Sequence, residues 1–243
     1  MSDESQGKRV VLKLSGEALM GETGYGIDHK ILSRVVGEIA EAKNSTGVQI
    51  AVVLGGGNIC RGVSLNAGGM DRVTADLMGM LATTINCLAI SDAFRQINVP
   101  NRVLTAGEMK KAAETYYRDR ALTYLEAGEI LLLAGGTGSP FFTTDTAAAL
   151  RAAEIGADRL FKATKVDGLY NTDPVHDPNA RFLPKLGYDE VLGNRLDVMD
   201  ATAVSLCRDN HIPIVVFNMT KPGNILRALK GASIGSVIGD GDD

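Results

Sequence analysis

Apolar and polar positions alternate between two textures along this chain. Short, nearly continuous apolar runs occupy residues 9–14, 48–54, 129–134, 158–162, 213–217 and 234–238, with a weaker one at 102–105. Their length and aliphatic content predict strands, most of them buried on both faces. Between them, apolar residues recur three and four apart and predict helices at 28–46, 70–98, 117–127, 201–210 and 222–230, with Pro222 opening the last. A further, alanine-rich helix starts at Thr143, Thr144 and Asp145, which are N-cap residue types, as is Asp28. In the longest helix the stripe Met70, Val73, Leu77, Leu81 and Leu88 is expected to face the core, with Met70, Met78 and Met80 as packing residues. Residues 1–7 read as a disordered tail, 175–187 as irregular, and 234–238 as a final edge strand. Strands alternating with helices predict an α/β fold, a mainly parallel sheet with helices on both faces, in one domain spanning 1–243.

Three of these strands end in glycine-rich corners, at residues 15–16, 55–57 and 135–138. In a parallel sheet such corners lie at the carboxyl edge, where ligands bind. The corner after 129–134 runs G-G-T-G-S-P-F-F-T-T-D into a helix start, whose N–H groups and dipole suit an anion. Its two adjacent aromatics, Phe141 and Phe142, are unusual for a loop. The triple glycine 55–57 lets backbone approach a ligand closely, and Arg61 follows it. Lys13 interrupts an apolar run just before the first corner. It reads either as a lysine snorkelling off a strand end or as an ammonium aimed at phosphate. Asp76 and Thr83 share a helix face away from the apolar stripe. Asp76 reads as a solvated carboxylate, the commoner case, or as an acceptor for ribose hydroxyls. Lys162 and Lys165 follow another strand and precede an Asp-Gly turn, Tyr170 and Asp173, a set suited to phosphates and a stacked base.

No G-x-x-x-x-G-K-S/T loop and no G-x-G-x-x-G opening is present. Several cradles with Lys13, Arg61, Lys162 and Lys165 instead suit two phosphate groups meeting head to head, the requirement of phosphoryl transfer. No Ser or Cys nucleophile with a His partner stands at the corners, which favours direct in-line transfer over a phosphoenzyme.

Composition narrows this little further. The 243 residues, 45% of them hydrophobic, suffice for one large α/β domain. A net charge of -4 with no Lys/Arg block argues against a nucleic-acid partner. Cys60, Cys87 and Cys207 lack a C-x-x-C spacing, and the histidines are scattered, so no zinc or other metal site is legible. A polar N-terminus without a signal-peptide core, and no uninterrupted apolar run of spanning length, give the expectation of a cytoplasmic protein without a membrane partner.

The segments K-L-S-G-E (13–17), G-G-G-N (55–58) with R-G (61–62), D-x-M-G-M-L-A-T (76–83), G-T-G-x-P-F-F-T-T-D (136–145) and K-A-T-K-V-D-G (162–168) resemble, in order, those of the bacterial UMP kinases, within the amino-acid kinase family. The resemblance covers almost the whole chain. It implies a three-layer α/β/α sandwich, acetylglutamate-kinase-like, assembled as a homohexamer. It also implies transfer from ATP, with Mg2+, to UMP in pyrimidine synthesis, with GTP activating and UTP inhibiting. By the same resemblance Lys13, Leu14, Ser15, Gly16, Gly57, Arg61, Thr164, Lys165, Tyr170 and Asp173 hold ATP. Gly56, Asp76, Thr137, Gly138, Ser139, Pro140, Phe141, Phe142, Thr143 and Thr144 hold UMP. Lys13, Asp145 and Lys162 are the catalytic set, Asp145 orienting the lysines. Gly21, Glu22, Thr23, Gly24, Tyr25 and Gly26 correspond to the GTP-linked segment. The N-terminal half is then mainly the UMP and phosphate side, the C-terminal half mainly the ATP side. This chain departs from the pattern at Ser139, where Asn is usual, at Cys60, where an aromatic is common, and over 105–118. Two other readings remain: a family kinase acting on carbamate or an acylamino acid, and a non-catalytic oxyanion-storage protein of the same fold.

Overall fold

The computed structural model describes residues 9–60, 69–172, 177, 179–194, 196 and 199–240. The expected tail at 1–7, Arg61 and Asp173 lie outside the described residues. In chain order the elements are β1 (Arg9–Leu14), a 3-10 turn (Gly16–Leu19), α1 (His29–Thr46), β2 (Gln49–Leu54), α2 (Arg72–Gln96), β3 (Asn101–Thr105), β4 (Glu114–Thr115), α3 (Arg118–Glu126), β5 (Ile130–Ala134) and α4 (Thr144–Ile155). There follow β6 (Arg159–Thr164), β7 (Leu169–Tyr170), β8 (Phe182–Leu183), β9 (Lys185–Gly187), α5 (Tyr188–Gly193), α6 (Ala201–Asp209), β10 (Ile214–Asn218), α7 (Asn224–Leu229) and β11 (Ser236–Gly239).

Nine strands form one sheet in the order β4-β3-β5-β2-β1-β6-β10-β11-β9. Its pairings are parallel except between β10 and β11. The pleat sends alternate residues to opposite cores. Val10, Leu12, Leu14, Ile50 and Val52 pack with α1, α2 and α7, while Val11, Ala51, Val53 and Leu160 pack with α3, α4 and α6. The result is the expected three-layer α/β/α sandwich.

Three local expectations are corrected. The strand near 234–238 is not an edge, because β11 lies between β10 and β9. The edge strand β9 comes from the stretch read as irregular; its three residues, after Pro184, are too few to show a period. Pro222 does not open the last helix, which begins at Asn224 after a left-handed Gly223 (φ 85°). Its first N–H groups are capped from a distance instead. The Glu38 carboxylate accepts from Gly223 N at 3.0 Å, Ile225 N at 3.0 Å and Leu226 N at 3.3 Å.

A further correction concerns α2. Val73, Leu77 and Leu81, expected in the core, are exposed, Leu81 at 51%. The buried face carries Ala75, Ala82, Thr83, Asn86, Cys87, Ile90 and Phe94. A Cβ added at Gly56 would lie 2.8 Å from both the Ala82 Cβ and the Gly79 carbonyl oxygen. Only small residues permit an approach that close, so the large ones turn outward. By length and composition α2 is long and apolar enough to cross a membrane. Its inner face packs on β2, β3 and β5, however, and core helices of soluble proteins pass the same test.

Candidate active site

The carboxyl ends of β1, β2, β5 and β6 bring the glycine corners together. Gly55 N donates to the Leu14 carbonyl at 2.9 Å. A Cβ on Gly16 would stand 2.5 Å from the Gly55 carbonyl oxygen, so glycine is required there by contact between two backbones. Asn58 is buried at this corner. It forms a reciprocal amide pair with Asn86 at 2.7 and 3.0 Å, and its Nδ2 also donates to Gly26 O at 2.8 Å. Asn86 Nδ2 donates in turn to Gly55 O at 2.7 Å. This buried pair stitches the end of the 21–26 loop to the triple-glycine corner and to α2. Tyr25, in that loop, is exposed.

Sheet register sets the charged centre. Lys13 of β1 lies directly beside Lys162 of β6, so both side chains leave the same face, toward the first turn of α4. There Asp145 receives both: Lys13 Nζ is 2.8 Å from Oδ1 and Lys162 Nζ 2.7 Å from Oδ2. All three are largely buried. Burial pushes the Asp145 carboxyl up, but the two ammonium groups outweigh it and hold the group below its ordinary value of 3.8. The trio of two cations and one anion carries a net positive charge. Lys165 stands apart, half-exposed and 3.8 Å from Glu17.

Around this centre Leu14 is wholly buried, so it offers a ligand only its backbone. Ser15 N donates to Ala163 O at 3.4 Å, and Thr164 O accepts from Met219 N at 2.9 Å. Gly57 and Thr164 are half-buried. Tyr170 packs edge-on against Phe182 at 5.5 Å in the β7–β8 ribbon. Asp167 fixes the preceding turn, accepting from Lys221 at 2.7 Å and Asn218 at 3.0 Å; the bond from Lys221 and then that from Asn218 lower its carboxyl.

Beside the charged centre a cleft of about 500 Å³, open solvent at its mouth included, is lined by Gly56, Cys60, Asp76, Gly79, Met80, Thr83, Gly136, Thr137, Ser139, Phe142, Thr143 and Thr144. Gly138, Pro140 and Phe141 belong to the same loop but do not line it. Phe141 sits in the left-handed region (φ 73°), with its N–H on Asp76 Oδ2 at 2.8 Å. The loop begins where Gly135 N donates to Thr83 Oγ1 at 2.9 Å. It ends where Thr143 caps α4, its Oγ1 accepting from Asp145 N at 3.0 Å and Thr146 N at 3.3 Å. Asp200, the N-cap of α6, accepts from the Thr143 hydroxyl at 2.5 Å and from the Thr146 hydroxyl at 2.9 Å, anchoring the helix start. Sequence reasoning missed Gly79, Met80 and Gly136 in the lining, and the anchoring by Asn86 and Asp200. A helical Gly-Met reads as packing, and neither anchor has a local signal beyond Asp200 being a cap type.

Burial raises the Cys60 thiol in the cleft and pushes Cys207 up to about 12 and Cys87 higher still. None of the three is a thiolate nucleophile at neutral pH.

The family model described as the amino acid kinase family matches residues 8–218. Among solved structures, the chain is similar to UMP kinase from Bacillus anthracis, with 38% identity and a TM-score of 0.93 over 97% of each chain. It is also similar to UMP kinase from Ureaplasma parvum, with 35% identity and a TM-score of 0.90 over 96% of this chain and 99% of that one. Uridylate kinase from Archaeoglobus fulgidus is more distant, at 27% identity and a TM-score of 0.72 over 94% and 99%. With its glycine corners meeting at two lysines on one aspartate, and with a family match over most of its length, the chain belongs to the amino acid kinase family and is a kinase.

Proposed function

We propose that this kinase transfers the γ-phosphoryl group of ATP to UMP, giving UDP and ADP by direct in-line displacement. The observation that carries this reading is the junction of the cleft with the lysine pair. Thr144 of the cleft adjoins Asp145 in sequence, and Gly56 adjoins the corner where Gly16 meets Gly55. An acceptor phosphate in the cleft would therefore stand beside Lys13 and Lys162, with ATP phosphates arriving over residues 13–16. Lys165, Thr164 and Tyr170 belong to the ATP side. The phosphate of UMP is already ionised, so no general base is required. Positioning and neutralisation of charge by the two ammonium groups supply the catalysis. Among the described residues no three carboxylate, histidine or cysteine side chains converge, and both Asp145 oxygens face lysines. Mg2+ would be held mainly by the ATP phosphates, whose charge it would neutralise.

The N-terminal half then forms mainly the UMP side and the C-terminal half mainly the ATP side of one domain. The same reading takes the enzyme as cytoplasmic, acting in pyrimidine nucleotide synthesis, with GTP as activator acting at the 21–26 loop and UTP as inhibitor. The outward apolar stripe of α2, Val73, Leu77, Leu81 and Ile85, supports self-association, and the homohexamer is the assembly we assign. A coupled ADP-release assay offers UMP, carbamate and acetylglutamate in turn, with and without GTP or UTP. Turnover with UMP alone among the acceptors is expected, raised by GTP and lowered by UTP. Turnover only with carbamate or acetylglutamate overturns the acceptor, and none with any acceptor supports a storage role.

Ser139 gives a finer test. Its N–H donates to Thr137 Oγ1 at 3.2 Å, and the residue is exposed at the cleft. A hydroxyl is shorter than the amide usual here and reaches a nucleotide through a bridging water. Ser139→Asn is expected to lower the KM for UMP several-fold, the equivalent of about 1 kcal/mol for one neutral hydrogen bond. The KM for ATP should not change. Equal UMP values in titrations of the two forms would remove the position from nucleotide contact.

A further inference from the structure

Asp76 lines the cleft, yet one of its oxygens is committed elsewhere. Oδ2 accepts both from Arg72 Nε at 2.8 Å, one helical turn back, and from Phe141 N at 2.8 Å, across the cleft mouth. The Arg72 guanidinium also lies over the Phe141 ring, 5.6 Å from its centroid. Arg72 thus touches both the carboxylate and the aromatic that it holds in place. Phe141 is one of three described non-glycine residues with positive φ, a conformation that persists only when its surroundings impose it. Asp76 is largely buried, and among the described residues its Oδ1 has no partner, so that oxygen is left for a ligand.

We infer that Arg72 is a positioning residue for acceptor binding, clasping Asp76 and the 137–142 loop into the one arrangement that presents Oδ1 to the acceptor nucleotide. The inference rests on UMP being the acceptor. Arg72 does not line the cleft, so it acts through Asp76 and Phe141 rather than by contact. Without the guanidinium, Asp76 gains rotamers, and the loop relaxes from its left-handed turn into several states. Only a fraction of molecules is then competent for UMP, and apparent affinity falls by that fraction. The lysine centre is untouched, so the chemical step is preserved.

Steady-state kinetics with UMP and ATP on Arg72→Ala, Arg72→Lys and Asp71→Ala decide the matter. Arg72→Ala is expected to raise the KM for UMP about tenfold, with kcat within about threefold and the KM for ATP unchanged. Arg72→Lys should fall between, because an ammonium keeps the charge but lacks the planar guanidinium that spans Asp76 and the Phe141 ring. Asp71 caps the same helix, accepting from Thr74 N at 2.9 Å, and does not touch Asp76. Its alanine variant should lower Tm without moving the KM for UMP. An unchanged KM for UMP in Arg72→Ala overturns the inference, as does an equal rise in Asp71→Ala, which would assign the effect to the helix end. Absence of UMP turnover in the unsubstituted enzyme strikes the acceptor assignment instead, so the two failures are distinguishable.

Discussion

Lys13→Ala is expected to lower phosphoryl transfer by at least 10²–10³-fold while the chain stays folded, the usual cost of removing a group that stabilises transition-state charge. Lys13 is the penultimate residue of β1, and its ammonium meets Asp145 at 2.8 Å beside Lys162. Removing it takes away the net positive charge of the trio, because the remaining lysine and aspartate cancel. The fold should persist, since Asp145 keeps Lys162 and the strand keeps its parallel pairing on both sides. Lys13→Met holds the volume and separates loss of charge from loss of packing; both variants should be equally inactive. Single-turnover rates at saturating ATP and UMP are the measurement. A folded Lys13→Ala enzyme with near-normal turnover removes this lysine from the chemistry.

Asp145→Asn is expected to damage both stability and catalysis. The carboxylate is the counter-charge in contact with two largely buried ammonium groups. Breaking a buried ion pair by removing one partner costs about 3–5 kcal/mol. For a chain of this size that corresponds to a fall in Tm of roughly 6–20 °C. Activity should fall by more than tenfold even below the melting range, because the charge that draws both lysines to one point is then gone. The pH dependence has a definite sign. The native Asp145 carboxyl lies below its ordinary value of 3.8, so its contribution is fully present above that pH and is lost as pH falls through the native value. Thermal melts between pH 3 and pH 7 should therefore show the variant's deficit narrowing in acid. A deficit that stays constant across this range would mean that Asp145 contributes through packing and not through charge.

The glycine corners were legible because their cause is local. A triple glycine after an aliphatic run, or T-T-D before an alanine run, states its backbone preference within a few residues. The same holds for Asp28 and Thr143, which cap the helices they precede. Lys13 and Asp145 were legible as candidates, but on residues alone Lys13 stood between a snorkelling side chain and a ligand. Periodicity misled at α2, where the most apolar stripe faces outward. A hydrophobic pattern reports which face is greasy; it does not report how near the sheet must come. The short β9 and the cap that Glu38 gives α7 had no local signature, one for want of length, the other because donor and acceptor are about 185 residues apart.

The sequence by itself determined the alternation of strands and helices, hence the layered α/β class, and the residue types at each strand end. Those follow from φ/ψ preference and hydrophobic period, which act over a few neighbours. Tertiary structure alone decided that Lys13 and Lys162 stand side by side, since strand register is fixed by sheet pairing across about 150 residues. It decided that the Asn58 side chain pairs with Asn86 inside the scaffold. It decided, too, that the Asp76 oxygen held by Arg72 one turn away also accepts from Phe141 N. The close packing of β1, β2 and α2 that frames the site is likewise tertiary, because it needs Gly16, Gly55 and Gly56 where a Cβ would meet backbone or the Ala82 side chain.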